Sequence, residues 1–151
     1  MQTTEDARQE LLDAIAAAAR ELGLASACLA EAYEQLDEQS ADRLEDDCFR
    51  PVQLALGRAK RCHAEFAGRH GFDDAVFTPV AAGLLSQGAA AFVEHAVEAA
   101  EAADRTLASL QDSMLPVEVG DEELRAGIKS ARDPLVGFAG KAREFLRGLG
   151  R

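Results

Sequence analysis

The chain has 151 residues, 48% of them apolar and 28% charged, with only 5% aromatic and a net charge of −11. That is one globular domain, long enough to bury its own core, and the balance excludes a disordered chain. So acidic a surface repels a phosphate backbone, and no window offers about 18 uninterrupted apolar residues, so neither nucleic acid nor a membrane is an expected partner.

The apolar share leans on alanine, the best helix former and a poor strand former. Composition therefore favours helix. The start of the chain, Met1 to Asp6, lacks a basic stretch followed by an apolar one, so no leader is expected. Cys28, Cys48 and Cys62 are an odd number without metal-type spacing. A reduced, cytoplasmic protein is the simplest reading. No metal and no cofactor are expected.

The first segment runs from about Thr4 to Leu36, with Thr4 as cap and Glu5 and Asp6 in the first turn, where carboxylates suit the helix dipole. Leu12, Ile15, Ala19, Leu22, Ser26, Leu29, Tyr33 and Leu36 recur at alternating spacings of three and four. That is a sustained heptad stripe of the kind that packs in bundles. The second segment runs from a Ser40 cap to His70, with Gly71 as stop. Leu44, Cys48, Val52, Ala55, Ala59, Cys62 and Phe66 form its stripe. Pro51 lies inside it, so the helix should kink or restart there.

The third segment is expected to start at Thr78-Pro79, a cap followed by a first-turn proline, and to reach Met114. Leu85, Ala89, Phe92, Ala96, Ala99, Ala103, Leu107, Leu110 and Met114 line one face. Pro116 and Gly120 mark what should be the longest loop. The fourth segment begins near Asp121 and carries Leu124, Ile128, Ala131, Leu135, Phe138, Ala142, Phe145 and Leu149. Pro134 interrupts it as Pro51 interrupts the second.

The two halves look like copies. Leu11-Leu12, Ala16 to Ala18 and Glu21 match Leu84-Leu85, Ala89 to Ala91 and Glu94 at an offset of 73. Pro51, Gly57, Arg58, Ala59 and Lys60 match Pro134, Gly140, Lys141, Ala142 and Arg143 at an offset of 83. Close helix approach is expected at Gly57 and Gly140. Charge divides the chain the same way: residues 1–47 carry −10, 48–70 carry +4, 71–123 carry −10 and 124–151 carry +5. An up-down bundle then sets each acidic helix beside a basic one. The expected architecture is all-α: an antiparallel up-down four-helix bundle of two pseudo-symmetric hairpins, about 4–70 and about 78–150, in a single domain over 1–151.

Candidate sites are few. Carboxylate-bridged di-metal bundles need a Glu-x-x-His pair on two helices, and none exists here. His95 falls on or beside the stripe of the third segment, and its sister position is Leu22; His63 corresponds to Leu146. Each reads either as an acquired polar site or as a histidine at the core edge, bonded to a carbonyl or an acid. Cys62 and His63 are sequence neighbours, point about 100° apart on a helix, and make no nucleophile–base pair. The outer side of the first segment is unusually apolar, with Ala14, Ala17, Leu24 and Cys28. The third segment adds Val93 and Val97 beside its main stripe. That width fits either a second packing partner or a broad buried arc in a snug alanine-rich bundle. The expected function is a non-enzymatic helical scaffold or protein-interaction module that self-associates. The alternative is a small-molecule or metal-binding bundle built on the core-edge histidines.

Overall fold

The structure is a computed structural model that describes residues 2–83 and 87–149. Among them there is helix and no strand. The helices are α1 (Thr4–Glu34), α2 (Glu38–Leu44), α3 (Arg50–His70), α4 (Ala89–Asp112), α5 (Leu115–Glu118), α6 (Glu122–Arg132) and α7 (Phe138–Leu149). No helix among the described residues is long and apolar enough to cross a membrane.

The caps sit close to the expected places. Thr3, one residue earlier than expected, accepts the Asp6 N–H while Asp6 reaches back to the Thr3 N–H, a closed capping box. Asp37, not Ser40, caps α2 through the Ser40 N–H at 2.8 Å. Gly71 stops α3 with a φ of 75°, a left-handed turn that only glycine takes without strain.

The two prolines act differently. Before Pro51 the helix widens into a π turn over Glu45–Phe49, where the Arg50 N–H bonds to Glu45 O, five residues back. That turn absorbs the ring and the missing donor, so α2 and α3 run on as one rod. At Pro134 the helix tightens into a 3-10 turn over Asp133–Leu135 and stops. Val136 is extended, Gly137 has a φ of 77°, and α7 restarts at Phe138.

The largest departure is the start of the third segment. Thr78-Pro79 caps nothing: the described residues from Phe72 to Gly83 carry no helix, and α4 begins at Ala89 behind Gly88. The residue before a proline resists the helical region, and Gly83 takes a φ of 113°. Phe72, Phe77 and Ala82 instead pack against the core. Among the described residues this strap, rather than the stretch around Pro116 and Gly120, is the longest non-helical connection, since α5 occupies the latter. Leu84 and Leu85, which carry part of the repeat, lie outside the described residues.

Contacts set the order of the rods. Leu24 and Cys28 of α1 border the same hollow as His95 and Ala99 of α4, while Glu10 and Ala14 border one with Ser109 and Ser113. So α1 and α4 run antiparallel. Arg69 meets Asp121 and Arg58 meets Ser130 O, so α3 and α6 also run antiparallel. The expected up-down-up-down order would make α1 and α4 parallel. The strap therefore returns the chain along the length of the molecule, and the order is up-down-down-up.

The core lies between these rods. Leu11, Ala18, Ala25 and Ala32 form a second buried row on α1, seven residues apart, beside Ile15, Leu22 and Leu29. It packs on Phe92, Val93, Ala96, Ala99, Ala100 and Ala103 of α4, also buried. Both segments are acidic, yet they share the most extensive contact because alanine lines the seam and the carboxylates stay outside. Basic α6 and α7 do meet acidic α4, through Arg132–Asp104 at 2.8 Å and Arg143–Glu101 at 2.9 Å.

Close helix approach occurs at neither Gly57 nor Gly140, where an added Cβ would meet nothing within 4 Å. It occurs at Gly127. A Cβ there would lie 2.8 Å from Cys62 Sγ and 3.2 Å from Cys62 Cβ, so a rotation of the thiol does not clear it. Helix propensity favours Gly127→Ala by about 1 kcal/mol, while the overlap costs about 1–3 kcal/mol. Urea denaturation should therefore show a net loss in the natural chain and a gain in a Cys62→Ala background. A gain in both would mean that α3 and α6 stand further apart.

Candidate functional site

The two histidines separate. His63 is buried, as a core-edge position requires, and its Nδ1–H donates to Asp74 Oδ1 at 3.0 Å. Asp74 lies on the strap and also accepts the Ala75 N–H at 2.9 Å. The ring thus fastens the strap to α3, and Phe77 lies edge-on to it with centroids 6.1 Å apart. His95 is exposed, one step off the buried row, although its sister position Leu22 is fully buried. The structure does not bring the two together.

His70, which the sequence reading used only as a helix end, belongs to a tighter cluster. Its Nε2–H donates to Asp121 Oδ2 at 3.0 Å, and Arg69 donates to both Asp121 oxygens at 2.8 Å. Asp121 also accepts the Leu124 N–H at 2.7 Å and so caps α6. The Arg69 guanidinium, with the backbone and His70 donors, holds this carboxyl far below its ordinary range. The cluster closes the end of the α3–α6 pair, with every carboxylate oxygen engaged by its own helices.

The cysteines are quiet. Burial pushes the Cys48 and Cys62 thiols up to about 12, and raises Cys28 as well. A thiol that keeps its proton is a poor nucleophile and a poor ligand. Among the described residues no group of three His, Cys, Asp or Glu side chains converges as a metal would need.

The apolar face read from the sequence is largely taken up inside the chain. Val93 and Val97 are buried within the chain. Cys28 is buried there too, and its thiol lies 3.9 Å from Ala82 O of the strap. Ala14 and Leu24 are half-buried against the core, and Ala17 is exposed.

A different surface stays open. A groove of about 380 Å³ runs between α1 and α3 and ends at the strap. Gly23, Ala27 and Ala30 of α1 form its floor, and Phe49 of the π turn with Leu56 of α3 forms one wall. Phe77 and Val80 of the strap close one end. Arg20 and Lys60 stand there as well, with their charged heads 5.6 and 5.4 Å from the Phe77 ring centroid. Sequence periodicity does not reveal this groove, because Thr78 to Val80 at its edge have the pattern of a helix start.

No protein-family model matches the chain, and no curated protein or solved structure matches it.

Proposed function

We propose that this chain is a non-enzymatic helical interaction module, a four-helix bundle that binds through its surface and self-associates. Its two hairpins, α1 with α2–α3 and α4 with α6–α7, are related in this reading by an approximate two-fold axis across the rods. Such an axis pairs α1 with α4 and the α2–α3 rod with the α6–α7 rod in antiparallel fashion, which fits the repeats of Pro51 with Pro134 and Lys60 with Arg143. The differing turns at the two prolines are where the copies have diverged.

The observation that supports binding is the open groove between α1 and α3, with apolar side chains left at the surface beside it. Val80 at its end is 39% exposed, and Val76 on the same strap is 81% exposed. A contact across a two-fold axis between copies would cover Val76 twice, once from each partner. Sedimentation equilibrium should then show a dimer that forms with concentration and dissociates on Val76→Asp. A single monomeric species at every concentration would remove self-association and leave only binding to other proteins.

A further inference from the structure

We propose that the α1–α3 groove receives an amphipathic helix of a partner protein, with a carboxylate side chain of that helix held between Arg20 and Lys60. The inference rests on the interaction-module reading and names what the module binds.

Charge is the first ground. The chain carries 27 acids against 16 bases. Four other surface hollows each include at least one carboxylate in their walls: Glu10, Glu101, Glu98 and Asp133 respectively. The α1–α3 groove includes none, and it includes two cations. Among the described residues neither Arg20 nor Lys60 has a carboxylate partner, and each rests on the Phe77 ring instead. A cation stacked on an aromatic ring keeps donors free for an anion.

Shape is the second ground. Gly23, Ala27 and Ala30 follow one another at four and three residues, so they form one row on α1. An added Cβ at Gly23 would meet nothing within 4 Å, so the floor is open. Phe49 of the π turn with Gln53, Leu56 and Lys60 of α3 form the facing row. That row covers about three turns, roughly 16 Å, and the α1 row about two, roughly 10 Å, room for a short amphipathic helix laid in a groove. Small side chains on the floor let a third helix come close.

The occupant is not a second copy. Among the described residues the large exposed apolar side chains are Leu54, Val76, Val80, Met114, Val117 and Val136. They are spread over a helix, the strap and the turns, and among the described residues no long helix presents an unpartnered apolar stripe. A partner helix with its own apolar stripe and an acidic end fills what this chain leaves open.

The test uses the full chain and three synthetic four-turn peptides with one leucine stripe. One carries a glutamate pair at either end, one has lysines in place of the glutamates, and one has serines in place of the leucines. Backbone amide shifts are followed in two-dimensional nitrogen–proton spectra. The glutamate peptide should bind in a saturable manner and move the amides of Gly23, Ala27 and Ala30. The lysine and serine peptides should not. Arg20→Glu with Lys60→Glu should weaken the glutamate peptide about tenfold, since two exposed pairs are each lost and reversed. Ala30→Trp, at an exposed position, should block it without altering the circular dichroism. Equal binding of the glutamate and lysine peptides, shifts confined to another face, or no binding would each overturn the proposal. The dimer tested by sedimentation would stand or fall separately, because Val76 lies outside the groove wall.

Discussion

Phe66→Ala is expected to lower stability by about 3–5 kcal/mol. Phe66 is among the largest side chains with no exposure at all. It sits in the last turns of α3, where the rod meets α6 and the start of the strap. Its ring lies against His70 with centroids 4.4 Å apart, and the Arg69 guanidinium stands 5.8 Å from its centroid. Truncation removes the apolar contact and also the surface on which two partners of Asp121 rest. At this chain length the loss corresponds to a fall in melting temperature of roughly 10 °C. Phe66→Leu keeps most of the volume and should lose much less. Thermal and urea unfolding of the two variants measure the difference. A loss under about 1 kcal/mol for the alanine variant would place Phe66 outside the core.

Asp121→Ala is expected to cost about 2–3 kcal/mol at neutral pH, because one carboxylate serves as helix cap and as anchor for two α3 side chains. The Leu124 N–H, the Arg69 guanidinium and the His70 ring lose their acceptor together. The side chain is 23% exposed, so solvent screens it only in part. Asp121→Asn keeps an oxygen for the Leu124 N–H and should cost about 1 kcal/mol. The pH dependence separates charge from shape. The folded carboxyl titrates well below the ordinary 3.8. A depressed value means that the unfolded chain takes up the proton first as acid is added. The stabilisation is therefore complete above about pH 4 and is lost as the pH falls toward the folded value. Urea midpoints of the natural chain and the asparagine variant should converge in that acid range. A gap that stays constant there would show that the ion pair contributes little.

Much of the helical content was legible because heptad spacing reports which face is buried. Leu12, Ile15, Leu22, Leu29, Leu44, Cys48, Val52, Ala59 and Phe66 are buried where the stripes put them. The start of the fourth segment near Asp121 and the Gly71 stop are local chemistry and were legible in the sequence. What was not legible is set by tertiary contact. Thr78-Pro79 has the composition of a helix start, but Phe77 and Ala82 gain more by packing as a strap. The two prolines look alike in sequence, yet one is absorbed by a π turn and the other ends in a left-handed glycine, Gly137. Gly57 and Gly140 recur, and neither is a contact; Gly127 has no sister match and is one. The apolar width of α1 and α4 is legible, but only the tertiary packing shows that Cys28, Val93 and Val97 are buried within the chain. The groove was not legible because Thr78 to Val80, which border it, have the sequence of a helix start.

The return path of the strap also bears on how the chain folds. Partners across the α1–α4 seam, such as Cys28 with His95 or Glu10 with Ser113, lie many tens of residues apart in sequence. An all-helical protein with short connections closes mostly local contacts and collapses fast. Here each hairpin can zip up early, but the alanine rows of the most extensive contact must wait for a distant encounter. That entropic cost is expected to slow folding relative to a bundle of the same length with short connections.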